Sequence, residues 1–144
     1  MFLKDETENT QQPRLYSPLT LAFLGDAVYS LLVREALVRQ ANRPAGELHK
    51  RSVRFVSAAA QAAAVRGILP ILSEEETAIL KRGRNAHSSH TPKNQSESDY
   101  RYATGFEALM GYLYLKGDTD RLEELFGIVF GGIQNHEKEK NSEK

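Results

Sequence analysis

The sequence predicts a single all-α domain. Three observations lead there: apolar residues recur at three- and four-residue steps through most of the chain, capping and stop signals bracket those stretches, and no period-two alternation bounded by hairpin turns occurs. A length of 144 residues with 40% apolar content fills one core and would leave two cramped.

The elements follow in order. Residues 1–14 (MFLKDETENTQQPR) show neither hydrophobic period and are expected to form a flexible tail. Ser17 can cap a first helix with Pro18 in its first turn. Leu21, Leu24, Val28, Leu31 and Leu32 continue it to about Asn42, before Pro44. A second helix is expected from Ala45 to Arg66, its alanine-rich AAAQAAAV suited to close packing and Gly67 terminating it. Ser73 followed by Glu76 is a capping-box pattern, opening a third helix that ends at Gly83. A polar loop to about Ser96 precedes a helix over Glu97–Lys116, which carries Tyr102, Phe106, Leu109, Met110 and Leu113 on one face and stops at Gly117. Asp118 then caps a last amphipathic helix, DTDRLEELFGIVF. From 134 to 144 the chain is charged and of low complexity, so the folded domain is expected over 15–133 with a second flexible tail behind it.

Composition narrows the function. There is no cysteine, which excludes disulfides and thiolate metal sites. No apolar run approaches the ~20 residues of a membrane span, and the start of the chain has no secretory pattern, so a cytoplasmic protein with no membrane partner is expected. Lys+Arg and Asp+Glu both number 19, which argues against a generic cationic coat for nucleic acid. The charges are segregated instead: Lys81, Arg82, Arg84 and Lys93 stand without a carboxylate among them, just after Glu74, Glu75 and Glu76.

Two acids stand where acids are costly. Asp26 is the only charged residue in LAFLGDAVYSLLV, and Glu107 the only one in FEALMGYLYL. An ionised carboxylate among apolar groups costs several kcal/mol unless it is paired, hydrogen-bonded or metal-bound. Each acid is open to a bland reading, facing water or pairing with an arginine such as Arg34 or Arg101. Two of them in separate helices, with Gly25, Ala108 and Gly111 close by, make convergence on a shared hard cation attractive, and Mg²⁺ or Mn²⁺ needs few protein ligands because it retains several waters. His87 and His90 lack the partners of a zinc site, and neither GDAV nor RGRNA has the spacing of a nucleotide-binding loop.

LAFLGDAVYSLLVR resembles the signature helix of ribonuclease III endonuclease domains, and YRYATGFEALMGYLYL resembles their second acidic motif. With RGRNAHSSHTPKN between them, the chain is similar over Ser17–Ile133 to Mini-ribonuclease III, the short relatives that lack a separate double-stranded-RNA-binding domain. The resemblance implies an all-helical, homodimeric endonuclease domain. It assigns metal binding and catalysis to Asp26 and Glu107, with Mg²⁺ as cofactor and Mn²⁺ tolerated. It implies cleavage of double-stranded RNA to 5′-phosphate and 3′-hydroxyl ends, with the large-subunit (23S) ribosomal RNA precursor as substrate and a ribosomal protein as a possible partner. Where larger ribonuclease III proteins carry further acids, this chain has Leu19, Ala22 and Thr104, which fits the short subgroup.

Duplex RNA is recognised mainly by shape, through phosphates and 2′-hydroxyls. Lys81, Arg82, Arg84 and Lys93 suit phosphates, and Asn85, Ser88, Ser89 and Thr91 suit 2′-hydroxyls. Lys50, Arg51 and Arg54 are weaker candidates. Phe23 and Tyr29, beside Asp26, are expected at a dimer interface, where aromatic residues are favoured. Two readings compete with the nuclease: a catalytically silent helical RNA-binding module, and a helical protein-interaction scaffold.

Overall fold

The computed structural model describes residues 12–86 and 96–142. Among these, all regular structure is helical: α1 (Pro18–Gln40), α2 (Ala45–Val56), α3 (Ala58–Ile68), α4 (Glu74–Asn85), α5 (Glu97–Lys116) and α6 (Thr119–Ser142), with 3₁₀ turns at Pro13–Leu15 and Leu69–Ile71. No described helix is long and apolar enough to cross a membrane.

The sequence signals act largely as read. Ser17 Oγ accepts from Thr20 N at 3.3 Å, with Pro18 in the first turn of α1. The capping box of α4 is complete: Ser73 Oγ accepts from Glu76 N at 3.1 Å, and Glu76 Oε1 accepts from Ser73 N at 2.8 Å. Gly117 closes α5 with φ +79°, the left-handed conformation that favours glycine. Asp118 Oδ1 accepts from Arg121 N at 3.3 Å and opens α6.

The helix expected over Ala45–Arg66 is in fact two, broken at Ser57 with ψ 149°. Serine favours caps because its hydroxyl competes with the helical backbone, and here Ser57 Oγ accepts from Ala60 N at 3.2 Å to start α3. The carbonyls freed at the break are taken by buried side chains: Tyr29 Oη donates to Phe55 O at 2.8 Å, and Gln61 Nε2 donates to Val56 O at 2.9 Å. Nor does Gly67 end α3, which continues to Ile68. Pro70 cannot extend an α-helix and sits in the 3₁₀ turn that follows. The charged segment after Ile133 is helical to Ser142, continuous with α6, because glutamate and lysine are good helix formers and Arg54 reaches Glu137 at 3.5 Å.

Helix α5 is the axle of the fold. Its residues from Ala103 to Leu113, except Glu107, are buried on every side, with α1, α3 and α4 packed round it and α6 closing over α3. Tyr29 meets Phe106 edge-on at 5.1 Å, and Phe55 stacks on Phe130 at 4.4 Å. Two close crossings fix the axle. A Cβ at Gly25 of α1 would collide with the Glu107 carbonyl, and one at Gly111 of α5 with the Leu21 carbonyl. Further along, a Cβ at Gly83 of α4 would lie 2.8 Å from Gly105 Cα, and one at Gly105 would lie 2.6 Å from Leu80 O. Glycine at these four positions lets the backbones touch.

Candidate active site

The Gly25–Gly111 crossing brings Asp26 and Glu107 together. Each follows or precedes a glycine of the contact, so the two carboxyls project from adjacent helices at one place. Glu107 is half-buried and its carboxyl is pushed up to about 9, first by burial and then by the hydrogen bond and negative charge of Asp26. Glu107 in turn contributes to raising the hydroxyl of Tyr29, after the larger effect of that ring's burial.

Both acids were expected among apolar groups. Glu107 is, but Asp26 is exposed. The apolar neighbours that surround Asp26 in sequence include a stripe left open by the other described residues: Leu19, Phe23, Leu31 and Val38 are 42%, 84%, 54% and 59% exposed. At about 100° per residue they share one arc of α1, with Asp26 at its edge.

Among the described residues no lysine, arginine or histidine forms an ion pair with Asp26 or Glu107. Arg101, a candidate partner from sequence, binds Glu97 at 2.7 Å instead. Two hard-oxygen ligands forced together without a protein cation, one of them open to solvent, fit a divalent ion such as Mg²⁺ that keeps several of its waters. No group of three or more His, Cys, Asp or Glu suited to a metal occurs among the described residues, so the site offers two carboxylates. At the positions where further acids were missing, Leu19 is exposed, Ala22 is buried, and Thr104 Oγ1 donates to Tyr100 O of its own helix at 2.9 Å.

The remaining predicted site residues divide. Phe23 projects from the uncovered stripe, as an interface residue must. Tyr29 does not: it is fully buried within the protomer, bonded to Phe55 O, and is corrected from interface to core. Six residues turn an α-helix by about 600°, which leaves Phe23 and Tyr29 about 120° apart, on different faces.

Lys81 and Asn85 are exposed at the end of α4. Arg82 is exposed but already occupied, with Nη1 donating to Arg14 O at 2.8 Å and Nη2 to Tyr16 O at 3.2 Å. Arg84 is half-buried, lying over the Tyr102 ring with Cζ 5.6 Å from its centroid. Of the weaker candidates, Arg51 pairs with Glu47 at 3.0 Å and Arg54 with Glu137. Lys93, Ser88, Ser89 and Thr91, like His87 and His90, lie outside the described residues. Sequence reading placed Tyr102 on the core face and missed its contact with Arg84. The only signal for it was the glycine register of Gly83 and Gly105, which is legible as small residues but not as a pair.

The all-helical fold is that of a ribonuclease-type domain: residues 19–118 match the family model described as "Ribonuclease III domain". The chain belongs to the ribonuclease III family. It is 56% identical over 112 residues to Mini-ribonuclease 3 of Thermoanaerobacter sp. (strain X514), covering 78% of this chain and 79% of that protein. To Mini-ribonuclease 3 of Brevibacillus brevis it is 49% identical over 127 residues, covering 88% and 95%. The crystal structure of a protein from Fusobacterium nucleatum superposes with a TM-score of 0.76 at 32% identity, covering 85% of this chain and 98% of that one. The two Mini-ribonuclease 3 proteins are of the short kind that the motifs resemble.

Proposed function

We propose that this chain is a Mg²⁺-dependent endoribonuclease that acts as a homodimer on double-stranded RNA, leaving 5′-phosphate and 3′-hydroxyl ends. The observation that carries it is the hydrogen-bonded Asp26–Glu107 pair, Glu107 half-buried and Asp26 exposed, with no ion-pair partner among the described residues. The family match and the Mini-ribonuclease 3 relatives support the reaction class.

Asp26 and Glu107 would hold the ion. Bound there, Mg²⁺, or Mn²⁺ in its place, supplies positive charge to the phosphate and a more acidic attacking water. Glu107, recessed beside the crossing, fixes the position. Asp26, exposed, presents its oxygens to the side from which RNA arrives. The uncovered stripe through Phe23 supports the dimer, since a two-fold pairing through α1 would cover it and set two acid pairs before two antiparallel strands. Lys81, Arg84 and Asn85 at the end of α4, together with Lys93, are the proposed phosphate and 2′-hydroxyl contacts. The natural substrate is proposed to be pre-23S ribosomal RNA in the cytoplasm, with a ribosomal protein as a possible helper, on the strength of the resemblance to Mini-ribonuclease III.

The test is incubation of the purified protein with a labelled RNA duplex, and separately its single strands, in Mg²⁺ or in chelator. Duplex-only, metal-dependent cleavage that Asp26→Asn abolishes while the protein stays folded is the expected result. Undiminished turnover by Asp26→Asn would remove that residue from the site. Duplex binding without cutting would leave a silent RNA-binding module.

A further inference from the structure

We infer that Tyr102 is a positioning residue for RNA binding: its ring holds the guanidinium of Arg84 in place to take a backbone phosphate at the α4–α5 junction. This rests on the duplex-nuclease reading and adds to it a residue on the opposite side of α5 from the Asp26 helix.

The geometry begins at the second glycine crossing. A Cβ at Gly105 would meet Arg84 N at 3.2 Å and Arg84 Cβ at 3.4 Å, so α4 lies on α5 at the residue that carries the guanidinium. Tyr102 is three residues before Gly105, one turn along the same face, which is why Arg84 Cζ comes to 5.6 Å from its ring. The guanidinium lies over the ring within cation–π range and forms no ion pair among the described residues. Its one recorded hydrogen bond runs from Nε to Asn85 Oδ1 at 3.2 Å.

Arg84 thereby differs from the cations around it. Arg82 spends two donors on backbone carbonyls, and Arg101 is neutralised by Glu97. Arg84 and Asn85 of α4 and Glu97, Ser98, Arg101 and Tyr102 of α5 line a recess of about 370 Å³, in which the Glu97 carboxylate is paired with Arg101. Glu107 lies five residues beyond Tyr102, about 7.5 Å along the axis and about 140° round it. A long arginine side chain ordinarily loses rotamer freedom when it binds. A guanidinium already held over the ring has less of that freedom to lose, and its planar fork suits phosphate.

The experiment measures duplex binding in chelator, where no cleavage occurs, and steady-state cleavage in Mg²⁺, for wild type, Arg84→Ala, Tyr102→Phe, Tyr102→Leu and the Arg84→Ala/Tyr102→Leu double variant. Arg84→Ala should weaken binding about five- to tenfold and lower the salt slope by about one. Tyr102→Leu should weaken binding about two- to fivefold, raising KM with kcat unchanged, and should add nothing in the Arg84→Ala background. Tyr102→Phe, which keeps the ring, should behave as wild type.

Effects of Arg84→Ala and Tyr102→Leu that multiply, a fall in kcat with KM unchanged, or a Tyr102→Phe defect equal to that of Tyr102→Leu would each overturn the assignment. A wild-type chain that binds duplex but never cuts it would sink the nuclease reading alone, since the binding arm still scores the Arg84–Tyr102 coupling. One that binds no duplex would sink both.

Discussion

Without a cation the acid pair should make the protein less stable as pH rises, and Glu107 sets the range. Its carboxyl is raised in the folded protein from 4.5 to about 9, so from 4.5 upward the unfolded chain releases this proton while the folded one holds it. Stability contributed by the protonated carboxyl is complete below 4.5 and is lost progressively as pH climbs towards 9. Each pH unit within that window is worth about 1.4 kcal/mol at most, or about 4 kcal/mol between pH 4.5 and 7.5. Asp26 is open to water and screening reduces the repulsion, so a net loss on the order of 2 kcal/mol is expected.

Glu107→Gln removes this titration while leaving every other group in place. In chelator, thermal unfolding followed by circular dichroism from pH 5 to 9 should show the wild-type midpoint falling relative to that of Glu107→Gln, by roughly 5 °C at pH 7.5. Added Mg²⁺ should raise the wild-type midpoint and leave the variant nearly unmoved. Parallel curves for the two proteins, with no gap opening as pH rises, would refute the account of two carboxylates forced together.

Gly111→Ala should cost upwards of 3 kcal/mol in urea unfolding, because a Cβ there falls on the Leu21 carbonyl and backbone cannot step aside as a side chain would. Tyr29→Phe should cost about 1–2 kcal/mol in the same assay, leaving the Phe55 carbonyl at the α2–α3 break unsatisfied without changing the site acids. Phe23→Asp should convert the proposed dimer to monomers by light scattering while keeping the helical circular dichroism signal, since this ring is 84% exposed in the protomer and contributes nothing to its core. An unchanged dimer mass would place the interface elsewhere.

Much of this fold was legible because its signals are local. Ser17, the Ser73–Glu76 box, Gly117 and Asp118 each satisfy backbone groups within a few residues of themselves, and the bounds of α5 coincide with those expected, Glu97 to Lys116. What escaped was non-local. Ser57 breaks a helix of good helix formers because Tyr29 and Gln61, distant or on the next element, accept the cost of the freed carbonyls. Tyr29 looked like an interface aromatic because a sequence gives its neighbours but not which face of α1 the core will claim. The acids were found by their cost in apolar surroundings, although for Asp26 that setting is the uncovered stripe and not the protomer interior. Arg82 and Arg84 are alike in sequence, and only the folded positions of Arg14, Tyr16 and Tyr102 separate a guanidinium that clasps backbone carbonyls from one that lies over a ring.

The two glycine crossings ride on one helix. Gly105 and Gly111 are six residues apart on α5, about 9 Å along its axis, and nothing flexible lies between them. The acid pair at one crossing and Arg84 at the other are therefore graduations on a rigid ruler. With the ion and the phosphate bound as proposed, a polyanion whose phosphates keep a constant spacing would register with both marks at once, whereas a floppy strand would first have to be straightened. Discrimination of this kind needs no reading of bases and would persist whatever sequence the duplex carries.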